Sequence, residues 1–143
     1  VVVNNSFFNN SENNEGLMLI VLVVDDSLNI HRKIKEALSD PRIVVESAYY
    51  HEMAMEIVNR GDCDIIFMDA CLDGDRPDTL ELTEEIRKIT DIPIVAMSSV
   101  KEYRDEQLKH GCNHQIDKDV ISTLVNKSLL RNLIKPHEKI FKN

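Results

Sequence analysis

Two spacings of apolar residues alternate along the chain. The first is a short uninterrupted run: Leu19-Ile20-Val21-Leu22-Val23-Val24, Ile43-Val44-Val45, Ile65-Ile66-Phe67-Met68 and Ile94-Val95-Ala96-Met97. Runs this short and this continuous predict strands buried on both faces, as in parallel sheets. Between them, apolar residues recur at helical spacing: Ile30, Ile34, Ala37 and Leu38, then Met53, Ala54, Ile57 and Val58, then Leu80, Leu82, Ile86 and Ile89. Asp26 or Ser27 can cap the first of these helices, because a side-chain oxygen satisfies free N–H groups of the first turn. Ser39-Asp40-Pro41 ends it, and Gly61 closes the second at the position after the helix. Residues 101–110 are polar apart from Tyr103 and Leu108, which predicts a weakly anchored helix with Gly111 behind it. A short fifth strand is expected near 114–116. One last helix is expected from Val120 through Ile134, carrying Ile121, Leu124, Val125, Leu129, Leu130 and Leu133 and ended by Pro136.

The order is therefore strand-helix five times over, without an internal repeat. Such alternation predicts an α/β domain, a parallel sheet covered by helices on both sides. Right-handed crossovers then bring all the strand C-termini to one edge, where open α/β sheets place their sites. Asp25, Asp26, Asp69, Ser98 and Lys118 all fall at strand ends on that edge.

Length and composition narrow the reading. A chain of 143 residues suits one domain. Residues 17–135 are expected to form it, with an Asn/Ser-rich tail or linker at 1–16 and a short tail at 136–143. Val1-Val2-Val3 and Phe7-Phe8 are apolar residues in that first tail that a surface could receive. A net charge of −8 argues against direct nucleic-acid or anionic-membrane binding. No apolar run approaches the ~20 residues of a membrane helix, and no signal-peptide pattern opens the chain. Cys63, Cys71 and Cys112 are odd in number and irregular in spacing, so reduced thiols in a cytoplasmic protein are expected.

The candidate chemistry lies at the sheet edge. Three crowded carboxylates repel one another, and a hard divalent cation relieves the repulsion; oxygen ligands with several waters suit Mg²⁺. Lys118 supplies a point charge and Ser98 a hydroxyl donor. Together these are what an incoming phosphoryl group needs to spread its charge. One carboxylate could act as nucleophile and form an acyl phosphate, and Asp69, ending the most central apolar run, is the candidate.

With these residues in order, the chain resembles the receiver domains of two-component response regulators over roughly 17–135. Asp25-Asp26 after the first strand, Asp69 after the third, Ser98 after Pro93-Ile94-Val95-Ala96-Met97, and Lys118 after the fifth carry the resemblance. It implies a flavodoxin-like fold, a doubly wound sheet with strand order 2-1-3-4-5. It implies phosphorylation of Asp69 by a histidine kinase or histidine phosphotransfer protein, in a signalling domain rather than an enzyme. It also implies Mg²⁺ held by Asp26, Asp69 and the backbone carbonyl of Cys71, with Asp25 acting mainly through water. The chain departs from the family pattern at Asp119, where Pro usually follows the Lys. It departs again at Gln115, where an aromatic is frequent, and at Asp73, where Pro is usual; the 70–79 loop is also longer. These departures spare the phosphorylation chemistry and bear on the Ser–aromatic switch, for which Tyr103 is a candidate stand-in.

Other readings remain. The same fold could serve as a pseudo-receiver, a docking module independent of phosphorylation. A haloacid-dehalogenase-like phosphatase would need a second Asp two residues after Asp69, where Cys71 stands. Asp73, Asp75 and Asp78 read as a solvated acidic turn. His110, Cys112 and His114 lack a helix to align them, because Gly111 interrupts it, and lack further zinc ligands. Cys71 sits among acids that raise a thiol's pKa. Leu129, Leu130, Leu133 and Ile134 widen the last helix's apolar stripe enough for a dimer or downstream partner. Output is expected through protein contacts, from a free-standing regulator or from the receiver of a larger hybrid kinase.

Overall fold

A computed structural model describes residues 18–134. The two tails expected from the sequence, with Val1–Val3, Phe7-Phe8 and Pro136, lie outside the described residues. Five strands form one parallel sheet: β1 (Leu19–Val24), β2 (Ile43–Ala48), β3 (Ile65–Asp69), β4 (Ile94–Ser98) and β5 (His114–Asp117), in the order 2-1-3-4-5. Six helices accompany them: α1 (Leu28–Ala37), α2 (His51–Asn59), α3 (Leu80–Ile89), α4 (Lys101–Lys109), α5 (Ile121–Leu124) and α6 (Lys127–Ile134). The parallel sheet with its helices is what the alternation of apolar patterns predicts, and the flavodoxin-like strand order is the one the resemblance implies.

β3 and β4 are buried from end to end, and β1 at every position but Ile20, because both faces are covered. Residues of opposite parity enter two separate cores. Val21, Val23, Ile65, Phe67, Val95 and Met97 pack with Ile30 and Ile34 of α1 and with Ile121, Leu130 and Ile134. Leu22, Val24, Ile66, Met68, Ile94 and Ala96 pack with Ala54, Val58, Leu82 and Ile86. This parity matters for the site. Asp25 continues the series Val21, Val23, and Asp69 continues Ile65, Phe67, so both acids follow the pleat of the α1 side.

Two elements differ from the sequence expectation. β2 runs on through Glu46 and Ser47 to Ala48, because an edge strand tolerates polar residues on its partly exposed positions. The last helix is broken. A 3₁₀ turn at Lys118–Val120 leads into α5, Val125 is extended, and the Asn126 side chain accepts the Leu129 N–H at 2.8 Å to start α6. Apolar spacing runs unbroken across this junction and so predicts one helix, but the cap resets the chain there. Leu130 and Ile134 are core residues, and Leu129 and Leu133 pack against the same core, so the wide stripe is largely consumed within the domain. Ser27 caps α1, and Gly61 takes a positive φ of 85° just past α2.

Candidate functional site

Asp25, Asp26 and Asp69 converge at the C-terminal edge of the sheet. Each offers a carboxylate oxygen, and these oxygens all lie within 4.8 Å of one another. Asp25 and Asp69 are buried, at 0% and 4% exposure, whereas Asp26 is open to solvent. Among the described residues this is the only group of three or more metal-ligating side chains so placed. Asp73, Asp75 and Asp78 are not part of it.

The positions follow from local structure. β1 and β3 are hydrogen-bonded neighbours, with Val24 opposite Met68, so the acids that follow them emerge side by side. Asp25 is fixed further by accepting the Ser27 N–H at 2.8 Å. β5 brings Lys118 to the same edge, where its Nζ lies 2.8 Å from Asp25 Oδ2 and 3.2 Å from Asp69 Oδ1. One ammonium thus bridges two buried carboxylates. The other oxygen of Asp69, Oδ2, is buried without a hydrogen-bond partner.

Electrostatics agree with this picture. Burial, then repulsion from Asp25, pushes the Asp69 carboxyl up to about 7, against the opposing pull of Lys118 and the Cys71 backbone N–H. Burial works against the Lys118 ammonium, but its bonds to Asp25 and Asp69 outweigh that and raise its pKa. Once all three carboxylates are ionised, two negative charges exceed what Lys118 neutralises, and every donor is a hard oxygen. The set therefore fits a hard divalent cation.

Ser98 ends β4 beside Asp69's strand, in the register that pairs Asp69 with Met97. Its Oγ is engaged locally, accepting the Val100 N–H at 3.0 Å. Cys71 stands next to the acids, and its thiol is pushed up to about 11 by burial and by Asp69 and Asp78. A reactive thiolate is thereby disfavoured. Gln115 is exposed and pairs with Arg104, while Tyr103 donates its hydroxyl to the Asp75 carbonyl at 2.8 Å. No peptide bond among the described residues is cis, that before Asp119 included. His110, at the C-terminal cap of α4, lies 2.6 Å from Glu84 and is separated from Cys112 and His114 by Gly111 at φ 132°.

Two supporting residues escaped the sequence reading, Thr79 and His31, and a third, Asp78, was read only as a solvated acid. Thr79 is fully buried and donates its hydroxyl to the Asp69 carbonyl at 2.7 Å. Asp78 accepts the N–H groups of Leu72 and Asp73 at 2.7 and 2.8 Å, pinning the long loop after Asp69, so it is more than a solvated acid. His31, buried against Tyr49, places Nε2 2.7 Å from the Asp25 carbonyl, and burial lowers its pKa despite that bond. A Thr just ahead of a helix hints at a cap; nothing in the sequence marks His31.

The family model for the response regulator receiver domain matches residues 21–129. No curated protein matches the chain. Among solved structures, a two-component response regulator from Clostridium difficile superimposes with a TM-score of 0.73, at 22% identity over 85% of this chain and 100% of that one. The receiver domain of NtrX from Brucella abortus gives 0.70, at 25% identity over 80% of this chain and 98% of that one. The chemotaxis protein CheY4 of Vibrio cholerae gives 0.67, at 24% identity over 80% and 98% respectively.

Proposed function

The chain belongs to the response regulator receiver domain family, and on that footing we propose that Asp69 accepts a phosphoryl group from a histidine kinase or histidine phosphotransfer protein, with Mg²⁺ as cofactor. The observation that carries this reading is the divided state of one carboxylate. Asp69 Oδ1 is held by Lys118, while Oδ2 is buried, unpartnered and beside two further acids.

That oxygen is the nucleophile. As it attacks phosphorus, the new P–O bond forms while the bond to the donor's leaving nitrogen breaks, and the electron pair leaves with the imidazole. Lys118 offsets negative charge building around Asp69, and the Ser98 hydroxyl donates to a phosphoryl oxygen once it turns from Val100. Asp26, Asp69 and the Cys71 carbonyl would hold the metal, which when bound supplies positive charge to the transferring phosphoryl oxygens. Asp25 has one oxygen taken by the Ser27 N–H and the other by Lys118, which suits a role through water rather than direct ligation. The exposed Asp26 is free to ligate.

The receiver unit spans 17–135, with output passed to a protein partner. Three free cysteines suit a cytoplasmic setting. Among the described residues no helix is long and apolar enough to cross a membrane.

The test is intact mass after incubation with Mg²⁺ and acetyl phosphate. A gain of one phosphoryl group is expected, lost with a chelator and lost in Asp69→Asn. A folded protein that gains nothing would refute the proposal and favour the docking-module reading.

A further inference from the structure

Thr79 stands directly before α3, where a side chain ordinarily caps a helix, yet it makes no capping bond there. A Thr at such a position stabilises a helix by satisfying a free N–H of the first turn. Here the hydroxyl turns away from the helix. It donates to the carbonyl of Asp69 at 2.7 Å and lies 3.3 Å from the carbonyl of Ala70. Thr79 is fully buried, so water does not compete for the bond. Thr83, also fully buried, holds Thr79 from behind: its N–H and its hydroxyl both donate to the Thr79 carbonyl, at 2.9 and 2.8 Å.

The two carbonyls that the Thr79 hydroxyl meets belong to the two peptide units joining Asp69 to Cys71. That short turn carries much of the site. The Cys71 N–H donates to the Asp69 carboxylate, and the Cys71 carbonyl is the backbone ligand in the metal set proposed above. The turn is also held by the Ala70 N–H, which donates to the Met97 carbonyl at 3.2 Å, and by the Asp78 N–H, which donates to the Ala70 carbonyl at 2.9 Å. Thr79 is the side chain that joins this set, and α3 goes without a side-chain cap as a result. A local rule broken beside a cluster of reactive groups is a mark of function.

We propose that Thr79 is a positioning residue for phosphoryl transfer, its hydroxyl fixing the Asp69–Cys71 turn so that the Asp69 carboxylate and the Cys71 carbonyl keep one geometry toward metal and phosphodonor. The inference rests on Asp69 being the phosphoacceptor. Thr79 touches neither metal nor phosphoryl group and acts only through the peptide units it holds. Without the hydroxyl, rotation of the peptide unit after Asp69 moves the Cys71 N–H and carbonyl relative to the carboxylate. Removing a group that orients a ligand in this way costs about 10–100-fold in metal affinity or activity.

Four variants of the whole chain test this against wild type. Thr79→Val keeps the shape and deletes the hydroxyl, and Thr79→Ala repeats the deletion with a smaller side chain. Thr79→Ser keeps the hydroxyl, and Asn126→Ala weakens the fold away from the site. Two quantities are read on each: the rate of mass gain from acetyl phosphate at saturating Mg²⁺, and Mg²⁺ affinity by calorimetry without phosphodonor. Thr79→Val and Thr79→Ala should lose about 10–100-fold in rate and about tenfold in Mg²⁺ affinity. Thr79→Ser and Asn126→Ala should match wild type in both, which separates the hydroxyl from packing and from overall stability. Wild-type rate or affinity in a folded Thr79→Val or Thr79→Ala would overturn the inference. So would a Thr79→Ser as impaired as Thr79→Val, or an Asn126→Ala as slow as either deletion. If neither deletion folds, the hydroxyl serves the fold rather than the site, and the inference is wrong. A wild type that gains no mass would contradict the phosphoacceptor reading itself, and this inference would fall with it.

Discussion

Replacing Asp69 with Asn should make the metal-free domain more stable, although it removes the central residue of the site. Asn keeps the shape and an oxygen for Lys118 but removes one of two buried charges that repel each other. A tenfold change in acidity is worth about 1.4 kcal/mol, so a carboxyl raised from 3.8 to about 7 costs on the order of 4 kcal/mol once ionised. Folded Asp69 keeps its proton between 3.8 and about 7, where the unfolded carboxyl has lost it. Wild-type stability therefore falls as pH rises across that window, and Asn lacks this dependence. Urea unfolding followed by circular dichroism with a chelator present should show the two proteins close together near pH 4. By pH 8, Asp69→Asn should be ahead by about 2–4 kcal/mol. Mg²⁺ should narrow the gap by stabilising the ionised wild type alone. An Asn variant equal to or weaker than wild type at pH 8, or a gap that ignores pH, would refute the reasoning.

Lys118→Met leaves Asp25 and Asp69 buried without their shared cation, and at pH 8 should cost about 3–5 kcal/mol in the same assay. Gly111 has φ 132°, and a Cβ there would lie 2.8 Å from Arg87 Cγ. Arg87 cannot readily give way, since it binds the carbonyls of Gly111, Thr90 and Ile92, so Gly111→Ala should lower Tm by an amount corresponding to about 2 kcal/mol. Asn126→Ala removes the cap of α6 and should cost about 1 kcal/mol by urea unfolding, with the mass gain from acetyl phosphate retained.

The sheet was legible in the sequence because its three central strands are buried on both faces, and such strands read as continuous apolar runs. The site was legible for a related reason. An acid directly after an apolar run falls on the C-terminal edge, so Asp25 and Asp69 were placed by strand ends alone, and Lys118 by its place behind the short fifth strand. What escaped was the Asn126 cap and the long-range bonding. Asn126 interrupts a helix whose apolar spacing continues, and a single capping side chain leaves no mark on a periodicity. α4 showed as a polar, weakly anchored segment, but its anchors pair Gln107 with Met68 and Tyr103 with Asp75, partners 39 and 28 residues away. No local pattern encodes such pairs. Thr79 and His31 likewise act through backbone carbonyls, which every residue offers.

The central claim is that the phosphoryl group resides on the Asp69 carboxylate. Borohydride reduces an acyl phosphate to the alcohol, so a chain treated with Mg²⁺ and acetyl phosphate, reduced and digested should carry homoserine at position 69. Tandem mass spectrometry of the peptide spanning β3 reads this directly. Homoserine at 69, absent without phosphodonor, is the predicted result. Homoserine at Asp25 or Asp26 instead, or no reduced residue in a folded protein, would contradict the account.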